Sequence, residues 1–162
     1  MSQKRRILFL CTGNSCRSQM AEGIMNKIGG DRFEAYSAGS DPARYVHPMA
    51  IETMAAMHID ISTNSSKSLD VYLNQPWNLI ITVCDNAKEA CPIFPGQPVT
   101  AHWGFEDPAK FEGTDEEKRR YFTQVAMQIE WRIRLLLSLN DTKLDELEYE
   151  HAVRHIGTQT MN

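Results

Sequence analysis

The sequence predicts a single α/β domain built on a parallel sheet. Short, continuous apolar runs alternate along the chain with segments of helical periodicity, the pattern of βαβ units. The chain has 162 residues, 42% of them hydrophobic, enough for one sizeable core. No repeat, low-complexity tract or linker divides it.

Residues 7–10 (ILFL) are a short apolar run, as expected of a strand buried on both faces. A polar, Gly-containing stretch follows over residues 11–16. After it Met20, Ala21, Ile24 and Ile28 recur at helical spacing, and Gly29 and Gly30 stop the helix. Residues 33–37 read as a second strand, closed by Ala38 and Gly39. Pro48 suits the first turn of a helix carrying Ile51, Met54 and Ala55. Residues 77–83 (WNLIITV) form the clearest strand, with Cys84 at its C-terminal end. Asp85 can cap a short helix that must finish near Cys91, because Pro92 disfavours helical geometry in the residue before it. Residues 99–103 make a shorter strand leading into a loop over residues 104–108. Thr114 and Glu117 form a capping box. The helix they open is the longest element, with Tyr121, Val125, Ile129, Ile133, Leu136 and Leu137 along one face. Beyond Asn140 the chain is rich in charge with scattered apolar residues, and its role is not legible.

A net charge of −4 and a pI near 5.7 argue against nucleic acid held by bulk electrostatics. Any bound anion must be captured locally. The apolar run after the N-terminal basic residues is too short for a signal peptide, and no later stretch approaches a membrane span. A soluble, cytoplasmic protein is the expectation. The four cysteines, at positions 11, 16, 84 and 91, fit a disulfide scaffold poorly in such a chain. Their C-x4-C and C-x6-C spacings also lack the close C-x2-C knuckle of structural zinc.

Residues 11–18 (CTGNSCRS) are a C-x5-R-S segment between a buried strand and a helix. A compact loop entering a helix N-terminus turns several backbone N–H groups toward one point, and the helix dipole adds positive charge there. Thr12, Gly13, Asn14, Ser15, Cys16 and Arg17 would form the anion cradle, with Arg17 closing it by a planar fork matched to two oxygens. Cys11 sits in the same field, which lowers a thiol pKa and favours thiolate. Ser18 can donate a hydrogen bond to that sulfur. Cys16 reads either as a small loop residue or as a partner that protects Cys11 by disulfide formation. Cys84 closes its strand at the edge where parallel sheets place ligands, the edge from which the Cys11 loop also emerges.

Residues 10–23 (LCTGNSCRSQMAEG) resemble the signature of the low-molecular-weight protein tyrosine phosphatase superfamily, and more closely the thioredoxin-coupled arsenate reductases built on that fold. The resemblance runs from about Arg6 to Leu139. It implies a four-stranded parallel sheet flanked by helices, with a catalytic domain over residues 1–140 and an extension over residues 141–162. It also implies that Cys11 is the nucleophile, and that Asp107 matches the general acid; from spacing alone, Asp107 reads as a turn-forming Asp before Pro.

A phosphatase needs a nucleophile, an oxyanion cradle and an acid. Arsenate reduction consumes two electrons besides, which must come from thiols. Residues 82–92 (TVCDNAKEACP) resemble the redox segment of the arsenate reductases, with Cys84 and Cys91 at matching places, and residues 102–109 (HWGFEDPA) also resemble that branch. The phosphatases tend to carry an aromatic residue where this chain has Ala109. The resemblance therefore implies a three-thiol relay: Cys11 attacks arsenate, Cys84 attacks Cys11, and Cys91 attacks Cys84. A redox disulfide Cys84–Cys91 results, which thioredoxin reduces. Seven residues of regular helix would hold those two Cα atoms about 10 Å apart, whereas a disulfide needs roughly 4.4–6.8 Å, so bond formation would unwind residues 85–91, unless they form an irregular loop in both states. The alternatives are a tyrosine phosphatase and a non-catalytic anion-binding module.

Some family members bind potassium through residues matching Asn14, Glu22 and Ser37 with an Asp further on, where this chain places Lys67. That ammonium either stands in for the cation beside Glu22 or is simply exposed. No metal, no tightly bound cofactor and a monomer are expected.

Overall fold

A computed structural model describes residues 3–85, 91–139 and 146–161. Four strands, β1 (Arg5–Cys11), β2 (Phe33–Gly39), β3 (Leu79–Thr82) and β4 (Val99–His102), pair in the order β2-β1-β3-β4, all parallel. The helices are α1 (Arg17–Ile28), α2 (Pro48–Ala56), α3 (Asp115–Ser138) and α4 (Glu146–Ile156), with 3-10 turns at Leu69–Val71 and Pro108–Lys110. The four-stranded α/β architecture expected from the sequence is the one observed.

Ile7, Leu8, Phe9 and Leu10 are all buried, because β1 is an inner strand covered on both faces. β3 is shorter than the apolar run suggests. At its start the Asn78 N–H still donates to Arg6 O (2.9 Å), but the Arg6 N–H goes to the Asn78 side-chain Oδ1 (2.7 Å) instead of a strand carbonyl. Trp77 Nε1 is turned away to donate to Tyr72 O (2.9 Å). β2 runs two residues beyond the expected strand, through Gly39. Pro48 opens α2 and the Thr114–Glu117 capping box opens α3, both as read from the sequence. The helix expected between Asp85 and Cys91 falls on residues 86–90, outside the described residues.

α1 packs on β1 and β2 and against α3, while α2 lies against α1 and α3. α4 packs on β4, with Tyr149, Val153 and Ile156 in the core. Arg154 Nε donates to Thr100 O on that strand (2.9 Å), and Trp103 Nε1 donates to Val153 O (3.0 Å). α4 thus covers a sheet edge that would otherwise expose unpaired backbone groups. No helix among the described residues is long and apolar enough to cross a membrane.

With the strand order β2-β1-β3-β4, the chain builds outward from β1 in one direction and from β3 in the other. The crevice beyond the C-terminal ends of β1 and β3 is a topological switch point, where open parallel sheets place ligands. Cys11 ends β1 and Cys84 lies two residues past β3.

Candidate active site

An open cleft of about 560 Å³ occupies that crevice, lined among others by Cys11, Arg17, Cys84, Phe105 and Asp107. A larger hollow of about 680 Å³ lies at the opposite end of the strands, beside Arg5, Asn78 and Val99. Chemistry singles out the smaller one, because it holds the nucleophilic side chains.

The loop between β1 and α1 is a rigid cradle. Asn14 is fully buried with φ of 49°, a left-handed conformation that Asn tolerates better than most residues. Its Oδ1 accepts from Lys67 N (2.8 Å) and Gln19 Nε2 (3.0 Å), and its Nδ2 donates to Ser18 Oγ (2.9 Å). Ser66 Oγ donates to Gly13 O (2.9 Å). Carbonyls braced from outside leave the loop's N–H groups turned inward. α1 has Cys16 as N-cap with no side-chain cap and no acidic residue in its first turn, so its amides and dipole remain available to an anion.

Arg17 spans the mouth of the cradle. Its guanidinium donates to Phe105 O (3.0 Å) and lies 3.5 Å from Asp107 Oδ2. Its Nε is buried and has no hydrogen-bond partner among the described residues. A buried unpaired donor is costly in itself, and a tetrahedral oxyanion in the cradle would satisfy it. Asp107 also caps the Pro108–Lys110 turn, its Oδ1 accepting from Ala109 N (3.0 Å). The turn-forming role read from the sequence is therefore real, and the second carboxylate oxygen faces the cradle arginine.

All four cysteines are free thiols. Cys84 is buried and lines the same cleft as Cys11, near enough to push that thiol's pKa up, and its Sγ lies 3.3 Å from Thr12 Oγ1. Next to it, Asp85 Oδ1 pairs with His102 Nε2 (2.9 Å), whose Nδ1 meets Thr82 Oγ1 (2.8 Å). Cys91 is half-buried and does not line the cleft. Burial pushes the Cys16 thiol up to about 11, despite the Ser15 hydroxyl beside it.

The expected lowering of the Cys11 pKa needs correction. The Cys84 thiol and burial push it up, and they outweigh Arg17 and the Gly13 N–H, which pull it down. The cradle's field was legible in the sequence; the neighbouring thiol and the depth of burial were not. Ser18 Oγ accepts from Asn14 Nδ2 (2.9 Å), which leaves its own hydroxyl hydrogen available as a donor in the cradle. Glu22 accepts from Asn64 Nδ2 (2.8 Å) and Ser37 Oγ (3.3 Å). Burial pushes its carboxyl up, against the pull of Lys67 and Ser37. Lys67 acts on Glu22 through space, while its Nζ donates to Ser65 O (2.7 Å). Among the described residues no group of three or more His, Cys, Asp or Glu side chains is placed to hold a metal.

The family model for low molecular weight phosphotyrosine protein phosphatases matches residues 6–150. The chain belongs to that family. Among its curated relatives is the arsenate reductase of Halalkalibacterium halodurans, 49% identical over 131 residues, which span 81% of this chain and 94% of that protein. The solved structure of an arsenate reductase in its phosphate-binding state superposes with a TM-score of 0.66 at 30% identity, over 83% of this chain and 97% of that one. A thioredoxin-dependent arsenate reductase of Corynebacterium glutamicum superposes with a TM-score of 0.58 at 28% identity, over 83% of this chain and 64% of that one.

Several members of this family site escape a reading by motif. Gln19, Ser66 and the Lys67 backbone brace the cradle, and Gly39 lets it close. A Cβ at Gly39 would overlap the Thr12 carbonyl oxygen and sit 3.1 Å from Asn14 N. Gly39→Ala is expected to destabilise the fold by about 1–3 kcal/mol through overpacking. It should weaken phosphate binding as well, because the displaced atoms are those of the loop. Denaturant unfolding and calorimetric titration with phosphate check both effects, and full phosphate affinity in the variant would contradict the assignment.

Proposed function

We propose that this protein reduces arsenate to arsenite with its own thiols, and that a dithiol of the thioredoxin type restores it. The observation that supports this reading is the second buried thiol, Cys84, held against Cys11 in the same cleft. A phosphatase uses one thiol there. Two in one cleft supply the two electrons that turn arsenic(V) into arsenic(III).

The two thiols resist ionising together, since like charges would meet in a buried site. The reactive form has lost one proton from the pair, and the Arg17 charge and Gly13 N–H favour placing the resulting anion on Cys11. Arsenate enters the cradle, where the Arg17 fork and the loop amides hold its oxygens. The Cys11 sulfur attacks arsenic, and one oxygen leaves as water with a proton from Asp107, forming a S–As bond. Cys84 then gives up its proton to water in the open cleft, the Cys11 charge that opposed its ionisation now being spent in the S–As bond, and attacks the Cys11 sulfur as thiolate. The Cys11–Cys84 disulfide forms, the S–As bond breaks with its electron pair going to arsenic, and arsenite departs. Thr12 Oγ1 is placed to donate to the Cys84 thiolate. Cys91 attacks Cys84, frees Cys11 as thiolate and leaves a Cys84–Cys91 disulfide, which an external dithiol reduces by exchange. The chemistry needs no tightly bound cofactor. It suits a monomer in the cytoplasm, where free thiols persist.

The test is a count of free thiols after incubation with arsenate and no reductant. Loss of two thiols per arsenite formed is the expected outcome. An unchanged count would reject the reductase and leave a phosphatase or an anion-binding module.

A further inference from the structure

The loop that carries Asp107 is weakly tied to the sheet. Its first backbone link, Phe105 N to Val83 O, is 3.3 Å long, beyond the usual range for such bonds. A stronger anchor comes from α3. Arg132, half-buried, donates from one guanidinium nitrogen to Gly104 O (2.9 Å), and its guanidinium carbon lies 4.5 Å from the Phe105 ring centroid. Phe105 O is in turn the acceptor for Arg17. One arginine therefore grips two of the four residues that connect β4 to Asp107, and one of the two also accepts from the cradle arginine.

Arg132 is itself held from the other side. Its second terminal nitrogen donates to the backbone carbonyl of Gln159 (3.1 Å), just beyond α4. Gln159 is fixed by its own N–H on Ile156 O (3.1 Å) and by its side chain on His155 Nε2 (2.7 Å). The turn after α4 lies close against β4, since a Cβ on Gly157 would overlap the His102 carbonyl oxygen.

We propose that Arg132 is a positioning residue for the acid loop, and that the C-terminal segment acts on the chemical step by holding Arg132 through the Gln159 carbonyl. The path runs from Gln159 through Arg132, Gly104 and Phe105 to Arg17 and Asp107. It rests on the functional reading above, in which Asp107 supplies a proton to the leaving oxygen. A planar fork suits the task because it grips two carbonyls at a fixed angle.

The experiment compares the full chain with three forms: a chain ending at Thr158, Arg132→Met, and both changes together. Single-turnover thiol loss with arsenate is measured alongside calorimetric phosphate affinity and amide exchange. Arg132→Met is expected to slow the chemical step between about 10-fold and 100-fold, as for a catalytic group displaced by about an ångström. Ending the chain at Thr158 removes one hydrogen bond to Arg132 and should slow the step by about 3–10-fold. In the Arg132→Met background the shortening should add nothing, since its route to the loop is gone. Phosphate affinity should fall by less than the rate throughout, because the loop amides keep their bracing and only the Phe105 carbonyl that Arg17 donates to is loosened. Amides of residues 104–107 should exchange faster in all three forms, while those of β1 keep their protection. Arg132→Lys should restore folding stability but not rate, an ammonium being unable to grip two carbonyls at once. Multiplicative rate effects, or a loss of rate that tracks the unfolded fraction, would overturn the proposal. So would unchanged exchange at residues 104–107 in the shortened chain. Absence of thiol loss in the full chain would strike the arsenate reading instead, and the exchange measurement would still decide the coupling.

Discussion

Cys11→Ser is expected to eliminate arsenate-dependent thiol loss, slowing the chemical step by about 10⁴-fold or more. A serine hydroxyl in that position keeps its proton. Burial and contact with Cys84 already push the Cys11 thiol up, and they would act on a hydroxyl that starts several pKa units higher. Without an anion at position 11 no bond to arsenic forms, and Cys84 has no activated sulfur to attack. Phosphate binding should survive, because its determinants are the loop amides, the uncapped start of α1 and the unpartnered Arg17 Nε. Calorimetry with phosphate and thiol titration with arsenate separate the two properties. A variant that still forms arsenite would remove Cys11 as the nucleophile; one that loses phosphate binding as well would show that the sulfur holds the cradle in shape.

The second large effect divides the other two thiols of the proposed relay, Cys84 and Cys91. Cys84→Ser should form no arsenite, since no thiol would remain against Cys11. Cys91→Ser should complete one turnover and stop, with a Cys11–Cys84 disulfide that peptide mass mapping identifies. Steady-state rate with thioredoxin should fall by about 10³-fold or more in both. The difference arises from position: Cys84 is buried in the cleft beside Cys11, while Cys91 is half-buried outside it with its thiol on Pro92 O (3.6 Å). On the proposed relay, Cys91 acts after arsenite has left. Normal turnover by Cys91→Ser would mean that the external dithiol attacks Cys11–Cys84 directly, and the last step of the relay would be withdrawn.

The arrangement also explains how a chain of net negative charge can admit an anion. The attraction is confined to backbone N–H groups, one helix terminus and one arginine. It acts over a few ångströms and owes nothing to the field of the whole molecule.

The sequence by itself determined whatever depends on neighbours along the chain. The apolar run at residues 7–10, the C-x5-R loop after it and the periodic helix beyond form one strand–loop–helix unit, and these are local patterns. The strand ending near Cys84 was legible for the same reason, and parallel pairing then had to bring its C-terminal end to the Cys11 loop. Pro48 and the Thr114–Glu117 capping box mark their helix starts through contacts no more than three residues apart.

Tertiary structure alone decided everything that needs partners distant in sequence. Thr12 meets Cys84 across 72 positions, and Lys67 N reaches Asn14 across 53. Gly104 and Gln159 converge on Arg132 from opposite sides in the chain. The buried stripe of Tyr149, Val153 and Ile156 has helical spacing, yet spacing cannot say that the stripe lies on β4. The Cys11 pKa is the clearest case. Its direction depends on the balance between a cradle that favours the anion and on burial beside a second thiol, which oppose it. Desolvation and electrostatic contact vary steeply with depth and distance, and neither is encoded in the order of the residues around Cys11.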